Sequence, residues 1–176
     1  KRRASRLLPA LFFLLLFCTL FSWVWMPPNQ MKDFSESLIF VNLFISNLYF
    51  WKTSGYFEAP AEEMPLLHTW SLAVEEQFYV IFPILIIALW RFRQKNLFLI
   101  FALLFGLSLA LSEWGWRNHP TANFYLLPTR VWELLTGSIT AIIIQKRGLL
   151  SNNFISLLGL VGLTFAILFS DKYTAS

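Results

Sequence analysis

The sequence contains few charged residues and a single cysteine. Charged side chains make up 14% of its 176 residues, whereas a soluble domain carries about 25%. Hydrophobic residues make up 57%, and one water-soluble core cannot bury them all, because a domain of this size still exposes roughly a third of its unfolded surface. A soluble enzyme and a disordered linker are therefore excluded. Cys18 alone forms neither a disulfide framework nor a cysteine metal site, which excludes a disulfide-stapled secreted module.

Long apolar runs are present instead. Residues 7–26 carry no charge, and a helix of this length, at about 1.5 Å per residue, matches the ~30 Å hydrocarbon core of a bilayer. Pro27 and Pro28 then end the helix. Further crossings are predicted at residues 70–90, 96–111, 125–144 and 154–169. The shorter run at 38–50 is interrupted by polar residues and predicts a dipping or re-entrant segment. The predicted fold class is an all-α, polytopic membrane bundle with five crossings and one dipping segment.

Basic residues cluster in three short segments, at residues 1–6, 91–95 and 146–147. These hold nine of the 14 lysines and arginines, and the positive-inside rule places them in the cytoplasm. The other five then share the outer side with all 10 acidic residues, which gives +9 inside and −5 outside, in agreement with the total of +4. This assignment requires that residues 38–50 make no net crossing. The outer loops at 51–69 and 112–129 hold both histidines, so chemistry is expected on that side.

The strongest local motif runs from His68 to Tyr79. In a helix of 3.6 residues per turn, two stripes form: a polar one of His68, Ser71, Glu75 and Tyr79, and an apolar one of Trp70, Val74 and Phe78. Glu76 lies on the flank of the polar stripe. A carboxylate inside a membrane helix costs roughly 2–3 kcal/mol unless it is paired or hydrated, which favours a functional role. Alternatively, Glu75 and Glu76 lie at the headgroup level and interact with the helix dipole.

A second motif, at residues 125–137, contains Arg130 and Glu133. Their i, i+3 spacing allows them to pair, and pairing alone would explain both. Alternatively, Arg130 binds an anionic or carbonyl group of a substrate, oriented by Glu133. The residues alone favour the structural pair, because such a pair needs no ligand.

A third motif supplies Arg2, Arg3 and Arg6 ahead of the first apolar run. Such charges usually anchor a helix at lipid headgroups. They can also bind the phosphates of a cytoplasmic cofactor. Because His68 and His119 come with no cysteine cluster, no catalytic metal is expected.

Together these motifs resemble the membrane acyltransferase 3 family, which includes O-antigen and peptidoglycan O-acetyltransferases. The string from His68 to Tyr79 is close to the family's most recognisable motif. Residues 2–9 resemble the basic motif at the entry to an early membrane helix, residues 125–137 a later motif, and residues 42–50 the stretch before the central motif. The resemblance covers nearly all of the chain, so residues 1–176 are predicted to be part of a single acyltransferase 3 transmembrane domain, truncated at both ends.

The resemblance implies transfer of an acyl group, commonly acetyl, from cytoplasmic acyl-CoA to a hydroxyl of an envelope glycan at the far side of a bacterial inner membrane. Glu75 would accept a proton or orient a histidine, and Arg130 or Tyr79 would stabilise an oxyanion or the substrate. His68 completes the catalytic candidates. Arg2, Arg3 and Arg6 would bind CoA phosphates. The substrate-binding candidates are Trp70, Ser71, Glu76 and Glu133.

Aromatic residues of the outer segments can stack on sugars, although an interfacial aromatic belt explains them equally well. They are Trp51, Tyr56, Trp114, Trp116 and Tyr125.

In the family, the histidine most often proposed to abstract the proton lies in the first membrane helix, with an acidic motif in the next. Both would precede Lys1, so His68 is not that residue, and this piece alone is expected to be inactive. Two other classes use the same intramembrane charges: a transporter or flippase of a glycan or lipid-linked precursor, and a non-catalytic membrane subunit. The sequence has no Gly/Pro-broken inverted repeat, which disfavours the transporter.

Overall fold

The computed structural model describes residues 4–54, 64–89, 94–147 and 156–165. The described chain is helical and contains no strand, which confirms the predicted all-α fold class. It divides into two compact units, Lys1–Ile139 and Thr140–Ser176. The helices are α1 (Ala4–Trp25), α2 (Pro28–Asn42), α3 (Ser46–Thr53), α4 (Thr69–Leu89), α5 (Gln94–Asn118), α6 (Pro120–Tyr125), α7 (Leu127–Arg147) and α8 (Ser156–Phe165).

Four of the described helical stretches are long and apolar enough to cross a membrane: Ser5–Trp25, Thr69–Leu89, Phe98–Asn118 and Pro120–Gln145. They correspond to four of the five predicted crossings. Large apolar side chains cover their surfaces; Trp23 is 79% exposed and Ile87 is 74% exposed. Such exposure is expected where lipid is the solvent. The fifth predicted crossing, 154–169, lies partly outside the described residues. Its described part is α8.

The run predicted to dip without crossing is divided between α2 and α3. Pro28 begins α2, where its missing N–H costs nothing. The break between the helices contains Phe44, whose φ of 54° lies in the left-handed region. The chain then folds back, since the Tyr49 hydroxyl of α3 donates to the Asp33 carbonyl of α2 at 3.0 Å. α2 and α3 therefore pack against each other as a helical hairpin.

The sequence predicts a loop at 112–129, and that prediction is wrong, because the segment is mostly helical. α5 continues to Asn118, and α6 and the start of α7 fill most of the rest. The apolar run ends at residue 111, but the helix continues, and Arg117 and Glu113 pair one turn apart at 2.6 Å within this extension. His119 and Pro120 then break the helix. The end of the apolar run is therefore not the end of the helix.

The core of the first unit lies where the α2–α3 hairpin meets the turn before α4 and the end of α6. Its most buried members include Val41, Phe50 and Leu66, each at most 2% exposed, together with Tyr125. Leu11 and Leu15 of α1 join the same cluster. This packing brings the beginning of α4 next to the end of α6, which belong to the two longest motifs.

Candidate active site

The two stripes predicted for the central motif are present on α4. Val74 and Phe78 are buried in the bundle. His68, Ser71 and Glu75 are exposed on a face that no described element covers. Tyr79 and Glu76 are half-buried. The helical register therefore agrees with the sequence, and the polar stripe faces away from the described core.

Thr69 anchors the start of α4. Its hydroxyl donates to the Leu66 carbonyl at 2.7 Å, within the turn before the helix. The Ser46 hydroxyl at the start of α3 donates to the Thr69 carbonyl at 3.0 Å. Ser46 is 1% exposed and Thr69 is 7% exposed, so both bonds are shielded from water and stronger for it. Trp70 therefore leaves this turn in a fixed direction.

Two amides that the sequence analysis did not single out connect three elements. The Gln77 amide of α4 donates to the Phe44 carbonyl at 2.9 Å and to Asn47 Oδ1 at 2.8 Å. Asn47, 1% exposed, donates in turn to the Tyr125 carbonyl at 3.2 Å. This chain joins the α2–α3 break to α4 and to the end of α6. Its signal in the sequence is polar Ser46-Asn47 within an otherwise apolar run, since a buried amide must find partners.

Arg130, in the first turn of α7, meets the central motif. Its guanidinium carbon lies 4.7 Å from the centre of the Trp70 ring and 5.0 Å from that of Phe124, within the ~6 Å reach of a cation–π contact. The Trp70 and Phe124 rings are 4.6 Å apart. Arg130 Nε also donates to the Phe124 carbonyl at 2.9 Å. Leu126 is extended (ψ 141°), which turns the chain so that α7 reaches back to this carbonyl at the end of α6.

The predicted pair of Arg130 and Glu133 is present, with Nη1 and Oε2 3.5 Å apart. The Glu133 side chain is 47% exposed and that of Arg130 is 26% exposed. An ion pair of this exposure contributes about 0–1 kcal/mol. Arg130 is therefore held by the two rings and the Phe124 carbonyl as well as by Glu133.

Ser108 of α5 fixes the beginning of α7. Its hydroxyl donates to the Pro128 carbonyl at 2.6 Å and accepts from the Trp132 amide at 3.0 Å. These two backbone groups are four residues apart, so the hydroxyl lies across the helical ladder. Thr129 also donates to the Asn123 carbonyl at 2.8 Å. Arg130 therefore sits in a turn that α5 and α6 hold from both sides.

The structure does not bring all predicted site residues together. Among the described residues the ion pairs are Arg117–Glu113 and Arg130–Glu133, so Glu75 does not pair with Arg130. Arg6 is exposed at the start of α1. Arg2, Arg3 and Tyr56 lie outside the described residues. The described part of the chain has no group of three or more His, Cys, Asp or Glu that could hold a metal.

Comparison with known proteins identifies the family. A family model described as an acyltransferase domain matches residues 1–174. The chain belongs to the acyltransferase 3 family. The resemblance of its motifs is thereby confirmed, and the meeting of Arg130 with Trp70 joins two of these motifs, 60 residues apart in the sequence.

Relatives of this acyltransferase 3 chain include proteins with named activities. It is 34% identical to the O-acetyltransferase OatA of Staphylococcus aureus over 96% of the chain and 29% of OatA. It is 30% identical to the putative membrane-bound transacylase BcsY of Komagataeibacter xylinus over 78% of the chain and 35% of BcsY. An uncharacterized protein of Haemophilus influenzae is 38% identical over 80% of the chain and 60% of that protein. The chain thus spans between about a third and three fifths of the length of these relatives. No solved structure is significantly similar to it.

Proposed function

We propose that the protein containing this chain is a membrane O-acyltransferase that moves an acyl group, commonly acetyl, from acyl-CoA to a hydroxyl of an envelope carbohydrate. The observation that carries the proposal is the Arg130 guanidinium held over Trp70, where α4, α6 and α7 meet. Membership of the acyltransferase 3 family and the likeness to OatA support the same activity.

The reaction joins the acceptor hydroxyl oxygen to the carbonyl carbon of the thioester and breaks the carbon–sulfur bond. The hydroxyl proton passes to a base, and CoA leaves as a thiolate that takes up a proton. Such a step needs a proton acceptor, a stabiliser of the oxyanion and exclusion of water. Glu75 accepts the proton, directly or through a histidine, and Arg130 and Tyr79 stabilise developing negative charge. His68 completes this polar face.

Arg130 suits the role of oxyanion stabiliser because its guanidinium is already oriented. The two aromatic rings and the Phe124 carbonyl fix its plane before a substrate arrives. A donor that is preorganised in a site of low dielectric costs no reorganisation when charge develops. Trp70, Ser71, Glu76 and Glu133 are the proposed contacts to the substrate, and of these Trp70 and Glu133 contact Arg130 itself.

The donor is expected on the cytoplasmic side of a bacterial inner membrane and the acceptor on the other side. Arg2, Arg3 and Arg6 bind the CoA phosphates at the basic end of α1, where exposed Arg6 is free to reach a ligand in the cytoplasm. Residues 1–176 form part of the transmembrane domain that carries out the transfer. The positive-inside charge distribution supports this sidedness.

Acetyl transfer tests the proposal. Membranes containing the complete gene product that carries this chain are given [¹⁴C]acetyl-CoA and purified envelope polysaccharide of the producing cells. Wild-type membranes should label the polysaccharide. Glu75→Gln should reduce labelling at least about 100-fold, a typical contribution of a proton-transfer group, at an unchanged protein level.

Glu76→Gln is the matched control, because it removes the neighbouring carboxylate on the flank of the stripe. It should reduce labelling less than Glu75→Gln does. A flippase would move polysaccharide precursors across the membrane without labelling them, and absence of label in wild-type membranes would overturn the proposal.

A further inference from the structure

An open cavity lies at the end of α5, next to the first turn of α7 that carries Arg130. It measures about 570 Å³, within the ~300–1,000 Å³ typical of small-molecule sites. We call it the Trp114 cleft; the residues that define it are Trp51, Trp114, Asn118, His119, Thr121 and Asn123. Pro128 and Thr129, the two residues before Arg130, form its wall toward the candidate site.

The packing of α5 against α6 builds the floor of the cleft. A Cβ on Gly115 would lie 2.7 Å from Asn123 Oδ1, so the two helices approach this closely because the residue is glycine. The Thr129 hydroxyl also donates to the Leu126 carbonyl at 2.9 Å, which fixes the wall toward the candidate site. The floor and the wall are therefore set by backbone and side-chain packing and exist without a ligand.

Aromatic faces and amides border the cleft. Trp114 is 54% exposed, and its ring centre lies 5.5 Å from that of His119 at an angle of 57°. Trp51 approaches from α3 and is 41% exposed. The Asn118 amide donates to the Trp114 carbonyl at 2.8 Å, which holds it at the rim. The apolar face of a sugar ring packs on such aromatic rings, and its hydroxyls hydrogen-bond to amides and imidazole.

The lack of charged side chains in the described lining of the cleft indicates which class of ligand it suits. No Asp, Glu, Lys or Arg lines it in the described chain, so it offers no cation to the phosphates of CoA or to an anionic lipid headgroup. Another cavity, of about 500 Å³ between α2 and α3, is lined by Lys32, Asp33 and Glu36. The described lining of the Trp114 cleft is uncharged and mainly apolar, and its aromatic faces, amides and imidazole suit a neutral sugar that packs through its apolar face.

We infer that the Trp114 cleft binds a neutral sugar unit of the acceptor and presents the acceptor to the Arg130 site. The inference rests on the proposed function, because it states where the acceptor lies. The cleft is at the end of α5 opposite the basic segment at 91–95, which is the side where the charge distribution places the acceptor.

Trp114 could instead belong to an aromatic belt at the membrane interface. A comparison with Trp116 distinguishes this explanation from sugar binding. Trp116 lies on the same helix, is 69% exposed and does not line the cleft. In the transfer assay, Trp114→Ala should raise the KM for polysaccharide at least about tenfold and leave the KM for acetyl-CoA unchanged. Trp114→Phe should recover part of the loss, and Trp116→Ala should behave as wild type. Equal effects of the two alanine variants would overturn the inference.

A binding readout keeps the inference separate from transfer. In a Cys18→Ala background, a cysteine at Asn118, on the rim, should be protected from a maleimide by the polysaccharide. A cysteine at the neighbouring exposed Arg117, outside the lining, should not be protected. If the polysaccharide protects the cysteine at Asn118 but wild-type membranes transfer no labelled acetyl group, the cleft binds sugar and the proposed function is wrong. If wild-type membranes transfer the acetyl group but the cysteine is not protected, the proposed function stands and the inference about the cleft is wrong.

Discussion

Arg130 spans from the Phe124 carbonyl to the Glu133 carboxylate, and the Trp70 ring lies against its guanidinium. Only the contact with Glu133 follows from spacing within one helix. The cation–π contact with Trp70, of about 0.5–2 kcal/mol, depends on α4 and α7 meeting. A planar, delocalised cation suits all three contacts at once, whereas a lysine ammonium does not.

The role of Arg130 in transfer can be tested with one variant that changes the shape of its side chain and another that changes its partner Glu133. Arg130→Lys should lower acetyl transfer at least about tenfold, a loss of about 1.4 kcal/mol, because a point ammonium cannot stack on Trp70, bond the Phe124 carbonyl and pair with Glu133 at once. Glu133→Gln should have a smaller effect, since that carboxylate is 3.5 Å away and half-exposed. Label incorporation and protein level are measured together.

The double variant Arg130→Leu with Glu133→Leu distinguishes a site residue from a structural ion pair. If the pair is only structural, replacing both partners with apolar residues is tolerated. We expect the double variant to insert into the membrane and to remain inactive. An active double variant would remove Arg130 from the site.

At the scale of helices, the α2–α3 hairpin is held to the rest of the bundle by amides as well as by apolar packing. Gln77 reaches the Phe44 carbonyl at the break, where φ is positive. Asn47 continues the connection to the end of α6. These bonds add to the apolar packing of Phe34, Val41 and Phe50 in the core.

Gln77→Leu should lower the Tm of the detergent-solubilised protein by at least about 5 °C. It leaves one buried acceptor, Asn47 Oδ1, and one partly buried acceptor, the Phe44 carbonyl, without this donor. A buried acceptor left unpaired costs about 1–3 kcal/mol, and about 1 kcal/mol corresponds to 2–4 °C for a chain of this size. Gln77→Glu should be equally harmful, because an ionised carboxylate accepts hydrogen bonds and cannot donate them. A thermal-shift assay measures both variants.

Asn42→Ala is the matched control for Gln77. The Asn42 amide is exposed and bonds the Leu38 carbonyl one turn earlier in its own helix. Its removal should shift the Tm by at most about 1–2 °C, as is usual for a surface change within ±0.5 kcal/mol. A Tm equally low in both variants would show that the amide chain is not what holds the hairpin.

At the scale of the whole molecule, the crossings and the charge map must agree with each other. α1 and α4 are long and apolar enough to cross a membrane, and α2 and α3 form a hairpin between them. We propose that the end of α1 and the beginning of α4 face one side of the membrane. The basic segment at 1–6 would then face the other side, which the positive-inside rule assigns to the cytoplasm.

Cysteine labelling in intact cells checks this sidedness. With Cys18 replaced by alanine, a cysteine at exposed Lys52 should react with a thiol reagent that does not cross the inner membrane. A cysteine at exposed Ser5, at the opposite end of α1, should react only after lysis. The reverse pattern would invert the topology and place the Trp114 cleft on the cytoplasmic side.

The sequence by itself determined the features that depend on local periodicity and on solvent. The four described helical stretches long enough to cross a membrane are predicted from apolar length, because a bilayer accepts only segments that satisfy their own backbone. The buried stripe of Val74 and Phe78 and the pairing of Arg130 with Glu133 follow from 3.6 residues per turn. The helical stretch at 112–118 was missed because hydropathy reports the membrane boundary, whereas side-chain pairing and proline set the helix end.

Only the tertiary structure decided which distant groups meet. Trp70 and Arg130 are 60 residues apart, and Asn47 and Tyr125 are 78 apart. Their contact depends on the break at Phe44, the turn at Leu126 and the close approach that Gly115 permits. No periodic pattern encodes such angles, since each results from packing between elements that the chain brings together only on folding. For the same reason the sequence does not distinguish Trp114 from Trp116, whereas in the structure Trp114 lines the Trp114 cleft and Trp116 does not.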